Sequence, residues 1–144
     1  MPLLEVGDPL AHRALEALIR AESAVRRVVA AELAREGLSA AGFSVLVVLT
    51  TAGGRVELKT LRRRLGWSKA NATEVTATLA DRGFVVRRRL ARDRRAVMIE
   101  LTGPGAELVE RIFPSHTARV SSAFSDLDEE EKRSLASLCR KLAA

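Results

Sequence analysis

Between residues 58 and 101 two short helical patterns abut across one glycine and run directly into a strand, a loop and a second strand. Leu58, Leu61 and Leu65 keep helical spacing and stop at Gly66. Ser68 then caps a second helix, SKANATEVTATLADRG, which stops at Gly83. On it Ala72, Val75 and Leu79 share one face; Lys69, Ala70, Thr73, Glu74 and Ala77 share the other. FVVRRR and AVMIEL follow as alternating β-branched strands around a tip at residues 90–95, with Val97, Ile99 and Leu101 on one face. Helix, tight glycine-bearing turn, helix is the helix-turn-helix pattern. A hairpin placed directly after it makes a wing.

The flanks are helical. Residues 10–35 place Leu15, Leu18, Ile19, Glu22, Val25, Val29 and Leu33 at intervals of three and four, and Gly37 ends the run. Ser39 caps SAAGFSVLVVLTTAGG, an uncharged segment expected to be buried, with Phe43, Leu46, Val47 and Thr50 at helical spacing. Arg55–Glu57 is too short to classify alone. Thr102 restarts a helix carrying Leu108, Ile112, His116, Val120 and Phe124, and Pro114 predicts a kink or break within it. Asp128 and Glu131 form a capping box ahead of Leu135, Leu138 and Leu142. The expected fold class is mainly α: one unit over 1–144, with a winged helix-turn-helix lobe at 39–101. The helical arms, 10–36 and 102–144, are expected to dimerise.

Charge is concentrated in the lobe. Residues 55–95 hold 13 Lys and Arg against 4 Asp and Glu, a net +9, while the rest of the chain carries a net −3. A basic middle between mildly acidic ends is the footprint of a polyanion partner. RRRLARDRRA, residues 87–96, alone holds six arginines. A membrane surface would want an amphipathic basic helix with aromatic anchors, but turns punctuate this region and its only tryptophan is Trp67. Trp67 is expected to pack between the two helices. With no tyrosine and four phenylalanines, a stacking platform for single strands is not expected. No run approaches ~20 uncharged apolar residues, and MPLLEVGDPL carries acids where an export signal would be basic. One cysteine, Cys139, forms no internal disulfide and fits a reducing cytoplasm. It is expected in the dimer core rather than as a redox switch. No catalytic motif, phosphate loop or metal-ligand spacing is present, so neither an enzyme nor a cofactor or metal site is expected.

The serine-capped helix ending Leu79, Asp81, Arg82, Gly83 and an apolar pair, the wing motif Asp93-Arg94-Arg95-Ala96, and Leu101-Thr102-x-x-Gly105 together resemble the MarR family of transcriptional regulators. By motif the resemblance covers about residues 39–105, and by element order nearly the whole chain. It implies a homodimer with interlocked terminal helices, recognition helices in successive major grooves of double-stranded DNA, and wings in minor grooves. Members commonly repress transcription and release DNA when a small ligand, often aromatic or phenolic, or an oxidant acts on them. It points to Arg94 and Arg95, with Arg92 beside them, as groove-inserted or phosphate-gripping residues. Glu74 departs from the basic or neutral residue common at its position.

The residues themselves suggest roles. Arginines at a hairpin tip suit the minor groove, where negative potential is concentrated. Asp93 is expected to support the wing by pairing with the fork of a neighbouring arginine. Ser68 and Lys69 are placed for phosphate, Asn71 for adenine, and Thr73 for a base edge or thymine methyl. Glu74 either accepts from cytosine N4 or pairs with Lys69 or an arginine. Of Arg62, Arg63 and Arg64, one or two meet backbone, with Arg62 and Arg64 singled out. His116, Phe113 and Phe43 are candidates to line an effector pocket against the first helix. The leading reading is a sequence-specific regulator acting as a ligand-responsive repressor on a palindromic operator. The competing readings are an architectural DNA-coating protein and a protein-interaction winged helix.

Overall fold

The computed structural model describes residues 6–144; the first five residues of MPLLEVGDPL lie outside the described residues. Nine elements follow in order: α1 (Pro9–Arg35), α2 (Ala40–Thr51), β1 (Arg55–Glu57), α3 (Leu58–Leu65), α4 (Lys69–Asp81), β2 (Val85–Arg89), β3 (Val97–Leu101), α5 (Gly103–Ala123) and α6 (Glu129–Ala143). The helix starts follow from local chemistry. Asp8, Ser39, Ser68, Thr102 and Asp128 each accept, through the side chain, a backbone N–H of the first turn that the helix itself leaves unpaired. Asp128 and Glu131 complete the capping box in both directions.

The three strands form one antiparallel sheet in the order β1-β3-β2. Arg55–Glu57 becomes a strand because β3 offers it an edge: Val56 pairs with Ile99, and Ile99 pairs on its other side with Arg87. Cross-strand partners share a face, so Val56, Ile99 and Val85 turn inward and are buried, while Arg55, Glu100 and Arg88 turn outward. The core lies between this sheet, α2, α3, α4 and the first half of α5. Leu46, Leu49, Leu61, Leu79, Ile99 and Leu108 are fully buried there. Trp67 packs partly buried against it, as expected of a residue in the turn between α3 and α4. Thr76 is the one buried polar residue described; its hydroxyl donates back to the Ala72 carbonyl at 2.8 Å, which removes its desolvation cost.

Gly105 fixes how α5 leaves the sheet. A Cβ there would lie 2.2 Å from the Phe84 carbonyl oxygen and 2.8 Å from Leu101 Cδ1, so only hydrogen fits. Thr102 seals the same joint: its N–H donates to Phe84 O and its hydroxyl donates to Gly83 O.

Pro114 does not break α5. The helix runs on from Gly103 to Ala123. Proline removes the hydrogen bond to the Glu110 carbonyl and crowds it, and both residues lie on the exposed side of the helix, where that carbonyl meets solvent.

The two ends of the chain differ from the middle. α1 buries Leu33 near its C-terminal end but leaves Leu10, Leu15, Leu18 and Ile19 exposed. Nothing in α6 is buried, and Leu138 and Leu142 are 64% and 73% exposed. Among the described residues no single helix is long and apolar enough to cross a membrane.

Candidate nucleic-acid interface

The α3–α4 turn is three residues, Gly66–Ser68. Gly66 adopts φ 67°, a left-handed conformation that ends α3 without the Cβ penalty. The turn brings the N-terminus of α4 out to the surface. There Ser68 accepts from the Asn71 N–H at 3.1 Å. Its oxygen is used as the cap, while its own hydroxyl proton stays available to donate. Lys69, Ala70 and Asn71 are exposed beside it, Thr73 is half-buried, and Glu74 is exposed one turn further on. No acid occupies the first turn of α4, so its partial positive charge is not cancelled.

A second surface stands opposite. At the wing tip the Asp93 carboxylate accepts from the backbone N–H of Arg95 at 2.9 Å, and the Asp93 carbonyl accepts from Ala96 N–H at 3.0 Å. The Arg89 guanidinium donates to the Arg94 carbonyl at 2.8 Å. This corrects the expected role of Asp93. It pairs with backbone, not with an arginine fork, because an aspartate two residues before an N–H closes a local turn at little entropic cost. Arg92, Arg94 and Arg95 are left exposed. Arg88 is spent differently, paired with Glu100 on the outward face at 3.0 Å.

Between the wing on one side and α3 with the first residue of α4 on the other lies a cleft of about 550 Å³ whose charged lining is Lys59, Arg62, Lys69, Arg92 and Arg95 against Glu57 and Asp93. Arg62 Nε is buried there without a hydrogen-bond partner. Arg94 does not line the cleft. Arg64, expected beside Arg62, instead reaches back toward the Thr51 hydroxyl at 3.4 Å on the α2 side. On a helix, residues 62 and 64 point about 200° apart, so one cleft does not take both. Glu74 does not take up the alternative of pairing with Lys69 or an arginine: among the described residues it forms no ion pair. Lys59 was missed, because one lysine in a short helix carries no signal until the wing folds over it.

A second cavity, about 270 Å³, opens between α1, α2 and α5. Val29, Leu33, Phe43, Ser44, Val47, Leu65 and His116 line it. The His116 ring stands edge-on to Phe43 with centroids 4.5 Å apart. Its Nδ1 is buried without a partner, and burial pushes its pKa below the ordinary value, with nearby Glu32 pulling the other way. Phe113 does not line this cavity. It is 46% exposed, one position round the helix from buried Ile112. Behind His116, Glu32 of α1 accepts from the Ser115 hydroxyl and, at 2.7 Å, from Arg119 Nε of α5. The Ser115 hydrogen bond first, and then Arg119, holds the Glu32 carboxyl below its ordinary pKa. Among the described residues no group of three His, Cys, Asp or Glu side chains is placed to hold a metal.

Comparison with known proteins adds the relationship. The MarR family model matches residues 38–97, from the α1–α2 corner to the start of β3. The HTH-type transcriptional regulator YkoM of Bacillus subtilis is 35% identical over 105 residues, 73% of this chain and 68% of that protein. The chain belongs to the MarR family. The HTH-type transcriptional repressor YetL of B. subtilis is likewise 35% identical over 100 residues, which is 69% of this chain and 60% of that one. The matched region thus spans roughly two thirds of these MarR-family relatives' own lengths. Among solved structures, the Bordetella bronchiseptica regulator BpsR, described for regulation of its DNA binding by 6-hydroxynicotinic acid, superposes with a TM-score of 0.80 at 26% identity. That superposition covers 92% of this chain and 99% of BpsR. The mainly helical winged-helix architecture is therefore that of the MarR fold, and the relatives are transcriptional regulators rather than enzymes.

Proposed function

We propose that this MarR-family protein is a sequence-specific, double-stranded-DNA-binding transcriptional repressor that works in the cytoplasm as a homodimer and is released by a small molecule. The observation that carries the reading is the basic cleft between the wing, α3 and the exposed N-terminus of α4, which gathers five cations against two acids. In this reading α4 enters the major groove, Ser68, Lys69, Arg62 and Arg92 meet phosphate, and Asn71 and Thr73 meet base edges. Arg94 and Arg95 enter or flank the minor groove. Arg64 is a backbone contact only if it leaves Thr51.

The lobe at 39–101 is the DNA-binding part. The arms at 10–36 and 102–144 are the dimerisation part, supported by the apolar side chains that α1 and α6 leave exposed. Cys139 lines an apolar groove with Val120, Phe124 and Leu135 that a second copy would cover. The cavity beside His116 is the effector site, and its lining of apolar side chains with one unpaired imidazole nitrogen suits a small aromatic molecule.

Titration of a labelled genomic fragment set tests the reading. Expected are a bounded palindromic site, with half-sites about one helical turn apart, and a steep loss of affinity with salt. Arg94→Ala with Arg95→Ala should lower the magnitude of the salt slope by about 1 for each phosphate contact removed. Spreading along DNA without a bounded site would favour an architectural role, and an unchanged duplex affinity in the double variant would favour a protein-interaction module.

A further inference from the structure

We propose that Glu74 makes this protein's recognition helix select cytosine, by accepting a hydrogen bond from the exocyclic N4 amino group in the major groove. The inference rests on the DNA-binding reading above and adds the base it reads.

Glu74 is exposed on the outward face of α4, one turn beyond Asn71. Among the described residues its carboxylate meets no cation. The residues three and four positions away are Ala70, Asn71, Ala77 and Thr78, none charged, and among the described residues no ion pair includes it. Arg82, the other charged residue lining the groove on this flank of α4, has its guanidinium committed to the Gly37 and Glu36 carbonyls at 2.5 and 3.0 Å. The basic cleft lies on the opposite flank, around Lys69. Glu74 therefore has no structural employment, and it sits on a helix that otherwise approaches a polyanion.

An acid in that place opposes every phosphate and every base acceptor it meets. Only two major-groove groups donate to it, cytosine N4 and adenine N6. Adenine sets the N7 acceptor beside its donor, which repels a carboxylate. Cytosine sets a C–H edge there. The charge thus penalises three bases and rewards one, and selectivity results from repulsion elsewhere as much as from attraction at the cognate position.

The test is in vitro selection of duplex sites by the full-length wild type, Glu74→Ala and Glu74→Gln, followed by titrations of the selected site and of single-base variants. Wild type should prefer cytosine at one symmetry-related position per half-site, by roughly five- to a hundredfold over the other bases. Glu74→Ala should lose that preference alone, keep the rest of the site and bind unrelated DNA more tightly. Glu74→Gln should move the preference toward adenine, which an amide pairs bidentately. The inference is overturned if all three proteins select the same base at every position. It is also overturned if Glu74→Ala strengthens cognate and unrelated DNA by one common factor, the mark of a distant repulsion. Failure of the wild type to select any site would instead sink the DNA-binding reading itself.

Discussion

Asp93→Asn and Asp93→Ala separate two ways in which one acid can order an arginine-rich wing. In the structure Asp93 acts as a hydrogen-bond acceptor: its Oδ1 takes the Arg95 N–H at 2.9 Å and thereby shapes the turn that presents Arg94 and Arg95. Asparagine offers an oxygen at the same place, three bonds from Cα, and closes the same turn. Alanine offers nothing. Both variants remove one negative charge from a segment of net +9, so the electrostatic gain is common to both and cancels in their ratio.

The acceptor is one exposed hydrogen bond, whose net value is about 0.5–1.5 kcal/mol. If the tip must be ordered to enter a groove, that loss appears in the binding constant. Asp93→Ala should then bind a duplex about two- to twelvefold more weakly than Asp93→Asn. Asp93→Asn should bind at least as tightly as wild type. Fluorescence anisotropy with one labelled duplex, at two salt concentrations, reads both ratios. Equal affinity of the two variants, both weaker than wild type, would refute the reasoning: the carboxylate's charge, acting on an arginine, would then be what orders the wing.

Gly105→Ala should lower the melting temperature by several degrees, since overpacking costs about 1–3 kcal/mol and each kcal/mol moves Tm by about 2–4 °C in a protein of this size. The cause is the backbone oxygen 2.2 Å from the new Cβ; Gly103→Ala, with nothing within 4 Å, is the control and should leave Tm nearly unchanged when both are scanned calorimetrically. His116 supplies a pH signature. Its folded pKa lies below the ordinary 6.5, so its contribution is complete above that value and is lost as pH falls through it toward the folded pKa. Denaturant titrations of wild type should therefore show stability declining as pH falls below about 6.5. His116→Phe should flatten that decline, and an unchanged slope would show that His116 is not the group responsible.

The elements legible in the sequence were those whose causes are local. Ser39, Ser68, Thr102 and Asp128 announce helix starts because a cap acts within three residues, and all four accept the expected N–H groups. The wing strands were legible because alternation is a local pattern. What escaped depends on partners distant in sequence. β1 exists because β3 lies beside it some forty residues later. Glu32 meets Arg119 across 87 positions. Phe113 was expected in the cavity with His116 because both lie near the apolar stripe. Burial follows Leu108, Ile112 and His116, and Phe113 is rotated about 100° from Ile112. For Asp93 the right residue was legible but its partner was not, since a run of arginines suggests an ion pair while the backbone N–H two residues on is nearer.

The same distant contacts join the walls of the cavity to the C-terminal end of α4. The N-terminal end of α4 is set by the Gly66–Ser68 turn, but its C-terminal end is tied down by Arg82, which donates to the Glu36 and Gly37 carbonyls at the end of α1. Glu36 in turn holds Arg111 of α5 through its side chain at 3.1 Å, and Glu32, one turn earlier, holds Ser115 and Arg119. α1 and α5 are thus both the anchor of the recognition helix and, through Val29, Leu33 and His116, walls of the cavity. The pairs that join them are partly exposed, and such pairs stabilise by only about 0–1 kcal/mol each. With the cavity as the proposed effector site, a ligand that favours one spacing of α1 and α5 acts on the carbonyls that Arg82 holds, against the buried Ala72 and Leu79 that keep α4 packed on the core.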